Sequence, residues 1–463
     1  GMMVLAVTLG AVAVINTWDV PTYLIIVLGA FMLGHGGFWR WQRAIRALIL
    51  FAVAAFLSLA LYLPFFRHYQ ALHVGLGLVR NRTALEPFLT IWGLFIFLMV
   101  SLVWGYVLWG RPQESPLRCL GLCLRRGMRL PRLLHLHQAL VKRPQAFYVL
   151  AMLLLAGTAF ALVALLLFQL WVLALLCPLV ALFGLLVLRR RVPVEESFTS
   201  FLAFMGLGIL LGCEVVFLKD FLQGGDHYRM NTIFKFYTQA WVLLGLVAGV
   251  SLPRLWKWFS TVKRRWLGYA WKGAFLFLFL SSTIFIFLGT AQRVTDRFPG
   301  PRPPLGTLDG SAFMTVGSYT WPDASNRIQL IYDYQAINWF LENVTGTPVV
   351  AEAPLPYYRE FGLKVASYTG LPTLLGAHQN EQRYDWQVGQ RSADAETLYL
   401  ITDLEQTREL IARMNISYIY VGQLERTIYP FEGLDKFEDM RGFGEVVLVY
   451  ENPGVKIYQV LGE

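Results

Sequence analysis

Long apolar runs recur through the first two thirds of the chain, separated by short polar stretches. Nine such runs are read, at about 2–15, 20–36, 45–63, 87–109, 147–168, 171–188, 198–217, 236–252 and 268–290. About 20 apolar residues in a helix, at roughly 1.5 Å per residue, cross a hydrocarbon core of about 30 Å. The pattern therefore predicts a polytopic α-helical membrane bundle over residues 1–291, with about nine spans. The first run is short, and Gly1 precedes Met2 and Met3 inside an already apolar stretch, so a longer N-terminus is expected.

After Ala291 the pattern changes. Pro, Arg and Gly crowd residues 293–304, which predicts a linker over 292–322. From 323 to 463 short strand-like and helix-like stretches alternate. Tyr332–Asn343 reads as a helix, with Ala336, Ile337 and Phe340 on one side. Pro348–Glu352, Lys364–Thr369 and Ser417–Gly422 read as strands, and Ala395–Asp403 and Glu405–Met414 as helices. Val446–Glu451 and Val455–Val460, joined through Asn452-Pro453-Gly454, read as a hairpin. The expectation is a C-terminal soluble α/β domain with an antiparallel end. The sequence holds no Gly-x-Gly-x-x-Gly, Walker loop or Gly-x-Ser-x-Gly, so no nucleotide-binding or hydrolase motif supports an enzyme in this part.

Composition sharpens the division. The 463 residues are 56% hydrophobic and 15% charged, with a mean hydropathy of +0.49. Soluble domains carry about a quarter charged residues. Up to Ala291 there are 26 Lys+Arg and 8 Asp+Glu, and beyond it 14 and 22. The basic residues sit between apolar runs rather than along one polar face, which argues for membrane topology over nucleic acid. Lys and Arg in short loops accumulate on the cytoplasmic side. With residue 1 inside, the inner loops hold Arg40 and Arg43, the arginines of 111–143, Arg189 to Arg191, and Arg254 to Arg265. The outer loops hold few. The C-terminal domain is then extracytoplasmic. All four cysteines lie in the membrane part, so no disulfide framework is expected in the soluble one. Pro112–Pro144 reads as a basic amphipathic helix on the inner leaflet. Its Cys119, Cys123, His135 and His137 are spaced too loosely to favour zinc.

Polar residues cluster at the outer ends of the predicted spans. Asn16-Thr17-Trp18-Asp19 lies between the first two, and the next outer loop opens with His68 and Gln70. The third is the richest, with Glu214, Asp220, Asp226, Arg229, Asn231, Lys235, Tyr237 and Gln239. Asp19, Glu214, Asp220 and Asp226 are the candidate catalytic carboxylates. Asn16, Trp18, His68, Gln70, Arg229, Asn231, Lys235, Tyr237 and Gln239 are the candidate substrate-binding residues. Each group also has a structural reading: a helix cap with an interfacial Trp anchor at 16–19, a loop residue at His68, an ion pair at Glu214. A carboxylate in hydrocarbon costs on the order of 3 kcal/mol, so Glu214 should face the bundle with Lys219 or Arg229 as partner.

The segments Asn16-Thr17-Trp18-Asp19-x-Pro21-Thr22-Tyr23 and Arg229-Met230-Asn231-Thr232-x-Phe234-Lys235-Phe236-Tyr237-x-Gln239-Ala240-Trp241 resemble the YYY membrane-protein family. Ala366–Thr373 and Tyr420-Val421-Gly422-x3-Arg426 are similar to it as well. That family in turn resembles the GT-C class of membrane glycosyltransferases, which act on the outer face with polyprenyl-phosphate-linked sugars. The resemblance implies a lipid-phosphate sugar donor, a carboxylate that deprotonates the acceptor or holds a divalent metal ion, and cations on the departing phosphate. The class carries its hallmark carboxylates in a first outer loop that this sequence does not contain. Two rival readings stay open: a transporter or flippase of a lipid-linked molecule, and a non-enzymatic membrane assembly protein.

Overall fold

The computed structural model describes residues 1–36, 40–69, 75–109, 157–159, 161–189, 192–220, 225, 227–297, 301, 303, 306–355, 361–376 and 385–461. The amphipathic helix expected over 112–144, with its Cys and His residues, lies outside them. The chain divides into two compact units, Gly1–Phe285 and Ile286–Glu463.

In the first unit the apolar runs form helices: α1 Met2–Ile15, α2 Val20–Gly34, α3 Trp41–Leu61, the short α4 Leu63–His68 and α5 Leu85–Trp109. The series continues with α6 Gly157–Leu167, α7 Trp171–Val187, α8 Val194–Cys213, α9 Met230–Ser260 and α10 Arg265–Arg297. Among the described residues, six helices are long and apolar enough to cross a membrane, and Met2–Ile15, Gly157–Leu167 and Trp171–Val187 are shorter apolar ones. Phe277, Phe285 and Phe287 of α10 are more than two-thirds exposed, which fits a helix whose surroundings are hydrocarbon rather than water.

Helices α5, α7, α8 and α9 share one core, built on Trp92, Met99, Leu176, Phe183, Leu207 and Leu244. Small residues set the close approaches, as membrane helices require. A Cβ on Gly29 of α2 would lie 2.3 Å from the Phe201 ring of α8, and one on Gly105 would lie 2.2 Å from Trp258. At one end of the bundle Arg189 is buried. It donates to the carbonyls of Leu186 and Glu196 and to Ser200, while Arg254 pairs with Glu196 at 2.6 Å. At the other end β1 (Gly75–Leu78) and β2 (Val216–Lys219) form an antiparallel pair with Gly75 opposite Lys219.

The second unit is built on a mixed four-stranded sheet, ordered β5-β6-β8-β7. Strands β5 (Val349–Ala351) and β6 (Ile416–Val421) are parallel, and β7 (Val446–Glu451) and β8 (Lys456–Val460) add an antiparallel hairpin. Side chains alternate between its faces. Val350, Tyr420 and Ile457 pack with Phe340 of α11 (Leu330–Asn343) and Val365 of α12 (Lys364–Thr369). Ala351, Ile419 and Tyr458 pack under α13 (Asp385–Leu400), α14 (Leu404–Arg413), α15 (Gln423–Ile428) and α16 (Phe431–Gly442). A small pair, β3 (Ser318–Thr320) and β4 (Arg327–Gln329), precedes α11, and Met314 is fully buried against Leu330 and Ile337. Lys364–Thr369, expected as a strand, is the helix α12. The Glu352 carboxylate accepts the amides of Lys364 and Val365, which fixes the first turn, and Gly370 ends it at φ +74°.

Candidate functional site

The polar residues gather where α2 and α9 begin. Ile15 ends α1, and the Asn16 side chain accepts the Trp18 amide at the head of a 3-10 turn, Thr17–Asp19. Asp19 is the N-cap residue of α2, with Pro21 in its first turn, a position where the missing N–H costs nothing. From α9, Gln239 reaches into this turn. Its Nε2 donates to Asp19 Oδ1 at 2.6 Å and to the Trp18 carbonyl at 3.3 Å, and its Oε1 accepts the Thr22 hydroxyl at 2.5 Å. Trp18 meets Phe236 edge-on at 6.2 Å. A residue of α9 thus orients a carboxylate 220 positions earlier in the chain.

Residues four apart on a helix lie along one ridge. Asn231, Lys235 and Gln239 occupy such a ridge at the start of α9. Asn231 donates to Asp220 Oδ2 at 2.8 Å, as Gln239 does to Asp19. Lys235 sits between them, about 6 Å along the axis from each. It makes no ion pair with a described residue, and its Nζ lies 5.8 Å from the Phe234 ring centroid.

Arg229 has different company. Glu214 is fully buried, with its carboxylate 3.4 Å from the Arg229 guanidinium. Thr83 donates to the same carboxylate through its amide at 2.9 Å and its hydroxyl at 2.6 Å. Arg229 in turn donates to the Thr83 hydroxyl at 2.7 Å and to the Cys213 carbonyl at 3.1 Å. Of the two partners expected for Glu214, Lys219 and Arg229, it is Arg229 that pairs with it, while Thr83 is unforeseen. So is Tyr228, whose hydroxyl accepts the amides of Arg80 and Asn81. Nearby, the Tyr237 hydroxyl and the Trp92 indole N–H are buried without a hydrogen-bond partner among the described residues, their rings 5.2 Å apart.

Asp19 and Arg229 are held by separate sets of partners. Arg229, the N-cap residue of α9, precedes Gln239 by ten positions, about 15 Å of helix. His68 is exposed in the last turn of α4, where the neighbouring Tyr69 hydroxyl meets Thr17 at 3.0 Å. Gln70 and Asp226 lie outside the described residues. A cavity of about 340 Å³, almost wholly apolar, is lined by Gly10, Thr17, Pro21, Tyr23, Ser58 and Phe66 among others, directly beside the turn that carries Asp19. The described residues bring no three His, Cys, Asp or Glu side chains together in a way that could hold a metal ion.

Residues 1–244 match the family described as "Uncharacterized membrane protein (DUF2298)", more than half of the 463-residue chain. The chain belongs to this family. The matched region of this DUF2298 member contains Asp19, Glu214, Arg229, Lys235 and Gln239, and leaves the four-stranded sheet outside it. No curated protein matches the chain.

Proposed function

We propose that this DUF2298 protein is a GT-C-like membrane glycosyltransferase that takes a polyprenyl-phosphate-linked sugar at the bundle end where α2 and α9 begin. The observation that carries the reading is the ridge of α9. Lys235 lies one turn from Asn231 and one turn from Gln239, which bind the Asp220 and Asp19 carboxylates, and an apolar cavity adjoins the turn that carries Asp19. An amphiphile with a phosphate head matches that juxtaposition. The likeness of the Asn16–Tyr23 and Arg229–Trp241 segments to the YYY family, and through it to the GT-C class, supports the same reading. In it, nine apolar helices cross the membrane, and the basic inner loops put the site and the C-terminal α/β domain on the extracytoplasmic side.

The chemistry assigns roles. Glu214 is buried and engaged on both oxygens by Thr83 and Arg229, so it positions Arg229 rather than serving as a base. Asp19, oriented through one oxygen by Gln239, takes the proton of an acceptor hydroxyl. The acceptor oxygen bonds to the anomeric carbon. The bond from that carbon to the phosphate oxygen breaks, and its electron pair leaves on the phosphate. Lys235 stabilises that growing charge, with Arg229 further along the same helix.

The test is release of polyprenyl phosphate from a polyprenyl-phosphate sugar by the full-length protein in nanodiscs with a hydroxyl acceptor. Asp19→Asn is expected to lower the rate by about 10²-fold or more while leaving donor binding intact. An unchanged rate in Asp19→Asn contradicts the assignment. Movement of the intact lipid across a liposome membrane without release supports a flippase instead.

A further inference from the structure

The second unit buries four charged side chains at one point. Asp333, Glu352, Lys364 and Glu425 are each at most 2% exposed. Lys364 Nζ lies 3.3 Å from Asp333 Oδ1, which also accepts the Tyr420 hydroxyl, while Asp333 Oδ2 has no hydrogen-bond partner among the described residues. Glu352, directly after β5, accepts the Lys364 amide at 2.5 Å and the Val365 amide at 3.0 Å. Glu425 accepts the Gly422 amide at 2.9 Å. The phenols of Tyr399, Tyr420 and Tyr319, from α13, β6 and β3, complete the titratable surroundings.

Three carboxylates therefore face one ammonium out of contact with water. Uncompensated buried charge is costly enough that such a cluster takes up a proton. Burial lifts Glu352 most strongly, Lys364 opposes it, and Glu425 adds to it, leaving the group at about 7. Just upstream, Phe361 and Leu363 adopt φ of +63° and +52°, left-handed conformations that bulky residues hold only when their surroundings enforce them. The grip of Glu352 on the first two amides of α12 is such an enforcement.

We propose that Glu352 is a proton-controlled latch: it holds the strained 361–371 segment while the cluster carries its extra proton, and it loosens when that proton leaves because the water an ionised carboxylate gains on opening outweighs its stronger bonds to the two amides. The sign follows from linkage. With the segment open, Glu352 returns to an ordinary carboxylate value near 4.5. The closed state then binds more protons between that value and about 7, so closure weakens as pH rises through this window and is flat above it.

Hydrogen exchange of the 364–371 amides in the full-length protein, corrected for intrinsic exchange rates, reads the latch. Protection is expected to fall by more than about tenfold between pH 5 and pH 7.5. Glu352→Gln should remove the dependence, and Glu425→Gln should move its midpoint to lower pH. Flat protection in the unmodified protein overturns the latch whatever the variants do. So does unchanged pH dependence in a folded Glu352→Gln protein. Should Glu352→Gln not fold, the midpoint in Glu425→Gln decides: a downward shift supports the latch, and no shift overturns it.

Discussion

Glu214 closes an apolar helix with a fully buried carboxylate, and Thr83 and Arg229 between them contact both of its oxygens. Breaking such a buried pair by removing one partner costs about 3–5 kcal/mol, because the other charge is left uncompensated. Glu214→Gln should therefore already lower the thermal midpoint of the detergent-solubilised protein, and Glu214→Ala, which also leaves the Thr83 amide and hydroxyl without this acceptor, should lower it further. Equal midpoints for the two variants would show that the carboxylate is not held as described. That Glu214 needs a cation was legible in the sequence, which left Lys219 and Arg229 as the two candidates, because a carboxylate in hydrocarbon is costly unpaired. Thr83 was not, since it lies 131 residues away and acts partly through its backbone. Lys436 makes the same point in the second unit. It is buried, it donates to the carbonyls of Leu398 and Ile401 at 2.5 and 2.6 Å, and burial draws it down to about 8. Lys436→Met leaves both carbonyls unpaired, and a loss of about 1–3 kcal/mol is expected in the same measurement.

The elements that the sequence revealed best were those specified by their own periodicity. The apolar helices and the β7–β8 hairpin, with its Asn452-Pro453-Gly454 connection, need no distant information. Lys364–Thr369 misled because its Val, Tyr and Thr favour a strand, while the deciding contact comes from Glu352 twelve residues before. The β1–β2 pair was invisible for a related reason. Each strand has four residues, and more than 130 residues separate them. Helix packing has a comparable hidden requirement for small residues. Gly29→Ala drives a Cβ into the buried Phe201 ring, whereas Gly208→Ala meets nothing within 4 Å. The first should cost about 1–3 kcal/mol through overpacking, and the second should leave stability unchanged or slightly raised. Thermal unfolding of the two variants side by side checks this. Equal stability would contradict the α2–α8 packing.

At the scale of the whole molecule, the charge pattern separates an apolar, basic bundle from a sheet-containing, acidic unit, and it predicts sidedness. In a cysteine-free background, Arg82→Cys and Gly310→Cys should react with an impermeant thiol reagent in intact cells, and Lys263→Cys only after permeabilisation. The opposite labelling would invert the orientation assigned above. What no pattern in the sequence could deliver was which of the candidate cations is already engaged by other side chains. Both Arg229 and Lys235 were candidates, but Arg229 is engaged by Glu214, Thr83 and Cys213, while Lys235 lies on the α9 ridge between Asn231 and Gln239, the partners of Asp220 and Asp19.

The most direct test of the lipid-phosphate site is the affinity of a polyprenyl-phosphate analogue for the purified full-length protein, with Lys235→Ala compared against Lys257→Ala, which changes a lysine of the same helix near its other end. A charge-assisted contact contributes about 1.5–3 kcal/mol, so Lys235→Ala should weaken binding by about tenfold or more while Lys257→Ala leaves it unchanged. Undiminished affinity in Lys235→Ala would contradict the site.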